Sequence, residues 1–269
     1  MGCSFAQVRP AFSADDVIDG KPIATWVEQL GNDSYAYRER ATTVLMNAGP
    51  VVIEPLARAT KKGDFELVLR AIRILQSQAV KQDVAEEGGA MASLSLMAEE
   101  ATGARGVAAR ESIAAIRLLR AQRAEKELTH AGIFIGRSTI TETDIQPRML
   151  VRIDGDWNGD LEALKWVRWI NGIDTVLLRG EGCNDECLIA VCKMPSVARF
   201  HLSDGRLSNR ALAALGNVGK IRELVFDYVQ FDSQPTELIV SLSLVDRLRL
   251  FGTNLKSDQD EIIRAAFPS

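Results

Sequence analysis

The feature that most constrains this chain is an apolar pattern that returns every 24 residues through its second half. Ile173-x-x-Val176-x-Leu178 recurs as Val197-x-x-Phe200-x-Leu202, then Ile221-x-x-Leu224-x-Phe226, then Val245-x-x-Leu248-x-Leu250. Val151-x-Ile153 fits as an earlier copy, 25 residues before Leu178. Alternating apolar residues over so short a run predict a strand with one buried face. Between the copies, residues 186–193, 209–215 and 259–266 read as helix. Short strands joined through helices at a constant period have few solutions besides a stack, in which each repeat buries the face its neighbour supplies.

Beyond each strand comes a further apolar position, filled in turn by Cys183, Leu207, Phe231 and Leu255. Strand, turn, apolar anchor and helix at this period resemble the leucine-rich repeat over about 148–268. The asparagine usual in that motif is replaced by Asp156, Glu181, Gly205, Val229 and Thr253, which implies less uniform turns. The resemblance implies a leucine-rich-repeat domain over 132–269, with a parallel sheet on its concave side. Residues 132–147 act as connector, and the β-prone Ile133-Phe134-Ile135 is expected to cap the first repeat.

The first half has a different rhythm. Residues 23–30, 34–47, 51–60, 84–100 and 107–128 read as helices, punctuated by Gly31-Asn32 and Gly49-Pro50, and Asp64 can cap another in which Leu67, Ala71, Ile74 and Leu75 keep one face apolar. Arg40-Ala41 and Leu45 return 30 residues later as Arg70-Ala71 and Leu75. This echo resembles HEAT-type helical repeats, which implies a helical-repeat domain over 21–131 behind a flexible tail over 1–20. The fold class is therefore α plus α/β: helical repeats, then a leucine-rich solenoid. With the Gly155-Asp156-Trp157-Asn158-Gly159 segment and the closing Leu250-Phe251-Gly252-Thr253, the chain resembles bacterial proteins, especially of planctomycetes, that join these two repeat types.

Composition removes several function classes. A net charge of −4 lacks the basic surface of a dedicated nucleic-acid binder. No apolar run approaches the roughly 18 residues of a membrane span. Four cysteines in 269 residues make no disulfide framework. Met1–Ala6 lacks the basic and apolar regions of a complete signal peptide, yet Ala11-Phe12-Ser13 before Ala14-Asp15-Asp16 has the form of a cleavage site. The expected compartment is cytoplasmic, or extracytoplasmic if a leader precedes this start.

Three arrangements offer chemistry. Asp154-x-Asp156-x-Asn158-Gly159-Asp160 has the opening of a calcium loop, but the twelfth position holds Lys165 where a bidentate glutamate belongs. Its carboxylates read better as turn caps, with a calcium-dependent structural module as the alternative. Cys183, Cys187, Cys192 and His201 have the elements of a zinc site without the spacing of a known module. His201, Ser203 and Asp204 are close in sequence, but Asp204 alternates to the opposite side of a strand, so a hydrolase is the weakest alternative. The expectation is a non-enzyme without cofactor or resident metal.

The residues that alternate with the core positions form three outward columns. They read Arg152, Leu177, His201, Val225, Arg249; then Asp154, Arg179, Ser203, Asp227, Phe251; then Leu150, Thr175, Arg199, Glu223, Arg247. Arginines beside an aromatic are the residue types that dominate protein interfaces. The expected function is docking or scaffolding of a protein partner on this face through Arg152, Arg179, Arg199, His201, Glu223, Asp227, Arg247, Arg249 and Phe251. Arg199, Arg247 and Arg249 would pair with the partner's carboxylates. A solvated face of mixed charge is the plain alternative.

Overall fold

A computed structural model describes residues 16–81, 89–100, 102–139 and 146–267. Most of the expected tail, the start of the helix read from Val84 and the middle of the connector lie outside the described residues. The chain divides into two compact units, Met1–Leu119 and Arg120–Ser269.

The described part of the first unit opens with a hairpin that takes in the last residues of the expected tail. β1 (Val17–Ile18) pairs antiparallel with β2 (Lys21–Pro22) around Asp19 and Gly20, both in the left-handed region. The Trp26 indole donates to the Ile18 carbonyl at 2.8 Å, which ties the hairpin to α1 (Ile23–Glu28). The helices α2 (Tyr35–Asn47), α3 (Ile53–Ala59), α4 (Phe65–Lys81), α5 (Ala90–Glu100) and the start of α6 (Gly103–His130) follow. Asp64 caps α4 as expected, accepting from the Leu67 amide at 2.8 Å. The echoed pairs Ala41 and Ala71, Leu45 and Leu75, are all fully buried, in one core with Trp26, Leu30 and Leu56. Arg70 spans α2 and α4, donating to Glu39 at 2.7 Å and Glu66 at 2.6 Å.

In the second unit, β3 (Phe134–Ser138) leads to β4 (Arg148–Ile153), β5 (Thr175–Arg179), α7 (Asp185–Val191), β6 (Arg199–Ser203) and β7 (Arg206–Leu207). Then come α8 (Asn209–Leu215), β8 (Glu223–Asp227), β9 (Gln230–Phe231), α9 (Thr236–Val240), β10 (Leu248–Phe251) and α10 (Ser257–Ala266). Among these, α9 is the helix that the sequence reading misses. It is short and begins right after Pro235. A six-stranded sheet runs in the order β10-β8-β6-β5-β4-β3, parallel except that β3 lies antiparallel on β4. The Ile133-Phe134-Ile135 segment thus extends the sheet at the β4 edge.

The pairing steps by one repeat across the parallel strands. Thr175 lies beside Arg199 and Arg199 beside Glu223, while Leu177, His201, Val225 and Arg249 form the next row. Phe200, Leu202, Leu224 and Phe226 point the other way into a core with Leu188, Val191, Leu212 and Leu215. In the six-stranded sheet, β5, β6, β8 and β10 are each followed at once by a residue in the left-handed region: Gly180, Asp204, Tyr228 and Gly252, with φ between 52° and 57°.

Behind the strands, β7 and β9 make a second parallel ladder. It needs close approach between repeats: a Cβ on Gly205 would lie 2.2 Å from the Cys183 carbonyl oxygen. The ladder closes on a side chain, where Asn254 accepts from the Phe231 amide at 2.8 Å and donates to its carbonyl at 2.9 Å. Asn254 thereby imitates the peptide group of a further strand.

Candidate functional site

The outward sheet face divides into a neutralised interior and an exposed margin. In the interior, Asp174 immediately precedes β5 and takes two short bonds from the Arg199 guanidinium, at 2.5 and 2.7 Å. Arg148 approaches the same carboxylate at 3.6 Å, and the Thr175 hydroxyl donates to it at 2.9 Å. On the neighbouring strand, Glu223 stands 3.8 Å from Arg199, 3.9 Å from His201 and 3.5 Å from Arg249. Arg199 and Glu223 are each only 17% exposed. Burial by itself would raise the Asp174 pKa. The Thr175 and Arg199 hydrogen bonds, with the charges of Arg199 and Arg148, outweigh it and hold the carboxyl below its ordinary value.

Arg199 thus has partners within its own chain that the alternating columns do not foretell. Its guanidinium is committed to carboxylates of its own chain and holds successive strands together. A buried charge left without its partner is costly, so a docking protein would have to replace Asp174 and Glu223 to recruit it. His201 lies in the next row, with its imidazole 3.9 Å from Glu223. Asp204 pairs with Arg179 at 3.2 Å, while the carboxylate near His201 is that of Glu223.

The margin is different. Arg249 is 49% exposed, Phe251 53% and Tyr228 63%. Arg247 is exposed just before β10 and makes no ion pair among the described residues. Asp227 lies beside Phe251 across β8 and β10. The Tyr228 amide donates to the Phe251 carbonyl at 2.8 Å, and its ring lies against Gly252, where a Cβ would come within 2.6 Å. Arginine and aromatic side chains are thus held at one end of the face by a rigid ladder. At the opposite end, Arg152 stacks 4.9 Å from the Phe134 ring centre and pairs with Asp154 at 2.7 Å.

Tyr228 is absent from the sequence-based site, because its register falls one place beyond the tracked columns. The signal that marks it is the 24-residue series Gly180, Asp204, Tyr228 and Gly252, two glycines and an aspartate at positions that favour a left-handed turn.

In the candidate calcium loop, the side-chain oxygens serve local backbone. Asn158 Oδ1 accepts from the Asp160 amide at 3.0 Å, and Asp160 Oδ1 accepts from the Glu162 amide at 2.9 Å and the Ala163 amide at 3.3 Å. Asp154 accepts from the Asp156 amide at 3.3 Å and faces Arg152. Among the described residues, no three His, Cys, Asp or Glu side chains are grouped to hold a metal ion. Cys183 and Cys187 are core residues and Cys192 is partly buried; burial pushes each thiol up to about 12. Among the described residues, no helix is long and apolar enough to cross a membrane. No family model and no curated protein matches the chain.

Proposed function

We propose that this chain is a non-catalytic docking protein, built from HEAT-type helical repeats followed by leucine-rich repeats, that binds a protein partner on the outward face of its sheet. The observation that carries this reading is the margin formed by Arg247, Arg249, Phe251 and Tyr228. Two cations and two aromatics stand exposed there on or next to the paired strands β8 and β10, whose backbone is already ordered before binding. Leucine-rich architecture is supported by the one-repeat register and by the recurrent left-handed turn after each strand. The partner would present carboxylates to Arg247 and Arg249 and an apolar pocket to Phe251. Arg199, His201 and Glu223 would keep the face rigid, while Arg152 and Arg179 border it.

The test is affinity capture from the source organism with wild type and two variants. Arg247→Glu combined with Phe251→Ala is expected to abolish capture of a specific protein at unchanged melting temperature. Arg206→Glu, an exposed change on β7, is expected to retain it. Loss of capture with both variants, or with neither, contradicts docking at this margin.

A further inference from the structure

A second feature lies where the strands begin. The segments ahead of β6 and β8, within 192–198 and 217–222, line a groove of roughly 440 Å³. Lys220 and Arg222 line it together with Ser196 and Asn217, and no Asp or Glu is among its lining residues. Arg222 is exposed and makes no ion pair among the described residues. Lys220 pairs with Asp246 at 3.1 Å and keeps further donors free, since an ammonium has three.

The backbone agrees with this charge. The carbonyl ends of α7 and α8 would disfavour an anion, but turn amides occupy them. Lys193 and Met194 donate to Ala190 and Val191 at 3.1 and 3.0 Å, while Asn217 and Val218 donate to Ala214 and Leu215, each at 3.1 Å. The amides of Gly219 and Lys220 meet no acceptor among the described residues.

Ser196 adds an independent observation. It sits in the left-handed region at φ 64°, and one repeat earlier the same place is held by Gly172 at φ 73°. Glycine fills such a position without strain, whereas a residue with a β-carbon does not. A hydroxyl kept where glycine would be cheaper points to a use for that hydroxyl.

We propose that this groove is a binding site for a small oxyanion, a phosphate- or carboxylate-bearing ligand, held by Arg222 and Lys220 with the Ser196 hydroxyl as a further donor. The site is separate from the docking margin, and either can exist without the other.

Calorimetric titration of the full chain with inorganic phosphate, and separately with citrate, tests this. Saturable binding of at least one is expected, weakened about tenfold by Arg222→Gln, as loss of a charge-assisted hydrogen bond implies. Lys220→Gln is expected to weaken it by a smaller factor, and added sodium chloride to weaken it further. Ser196→Gly supplies an opposed pair of readouts: a higher melting temperature, because strain is relieved, with weaker oxyanion binding. The tighter ligand identifies the anion class. No saturation by either up to about 10 mM, or binding that Arg222→Gln and Lys220→Gln leave unchanged, overturns the proposal.

Discussion

Replacing Gly205 by alanine forces two successive repeats apart. The added Cβ would lie 2.2 Å from the Cys183 carbonyl oxygen, 2.4 Å from its Cβ and 2.6 Å from its Sγ, against an ordinary contact of 3.4–4 Å. Two of those three atoms cannot rotate away, so the junction must open by more than about 1 Å. The same movement stretches the bonds from the Arg206 amide to the Cys183 carbonyl, at 3.2 Å, and from the Gln230 amide to the Gly205 carbonyl, at 2.8 Å. Overpacking costs about 1–3 kcal/mol and a weakened buried bond adds about 1 kcal/mol, so a loss near 3 kcal/mol is expected. For a unit of this size that corresponds to roughly 6–12 °C in melting temperature. Gly155→Ala is the control, because its Cβ would meet nothing within 4 Å. That change should be neutral or stabilising by about 0.4–1 kcal/mol. Urea unfolding followed by tryptophan fluorescence reads both, since Trp157, Trp166 and Trp169 lie in the second unit. Equal stability of the two variants would refute the close stacking of repeats.

Three further outcomes follow from the same geometry. Asp174, whose carboxyl is held below its ordinary value near 3.8, stabilises the folded state above that pH and loses the contribution as pH falls through its lower folded value. Melting temperatures measured from neutral to strongly acid pH should therefore fall less steeply for Asp174→Asn than for wild type, from a lower neutral starting point. A Cys3→Ser chain should react with iodoacetamide at pH 8 far more slowly while folded than in denaturant, where three equivalents are taken up, counted by mass spectrometry, because Cys183 and Cys187 are buried, Cys192 is partly buried, and burial pushes all three thiols up to about 12. Asn254→Ala should cost about 1–2 kcal/mol in urea unfolding by stripping both partners from the Phe231 peptide, and Asn254→Asp should be no milder at neutral pH, because its carboxylate sets a second acceptor against the Phe231 carbonyl.

The columns of the sheet face were legible because parallel pairing carries a sequence period directly into space. Val176, Phe200 and Leu224 recur at a fixed step, so Thr175, Arg199 and Glu223 must stand side by side one residue before them, as they do. The ladder also explains why the cysteines read as core: Cys183 and Leu207 hold the same place in successive repeats, and both are buried. What the period does not carry is where a long side chain goes. Arg199 was expected to face a partner, but Asp174 lies one residue ahead of β5, outside the alternating columns, and claims it.

Backbone states were legible only in part. Gly180 and Gly252 signal a left-handed turn by themselves, whereas Tyr228 at the same register gives no local sign and is found through its spacing alone. Asn254 was equally hidden, since its amide replaces a strand rather than extending one. The hairpin at Val17–Ile18 was missed because two-residue strands leave no periodic trace, and the Trp26 indole that anchors it lies eight residues away.

The central claim is that the β8–β10 margin of the sheet is where a partner protein docks, and the most direct measurement is site-specific photocrosslinking. A benzophenone side chain placed at Phe251, and separately at the exposed Tyr35 of the first unit, would be irradiated in extracts of the source organism and the adducts identified by mass spectrometry. The account predicts a discrete adduct with one protein from position 251, lost on adding Arg247→Glu, and none with that protein from position 35. The same adducts from both positions, or none from position 251, would contradict it.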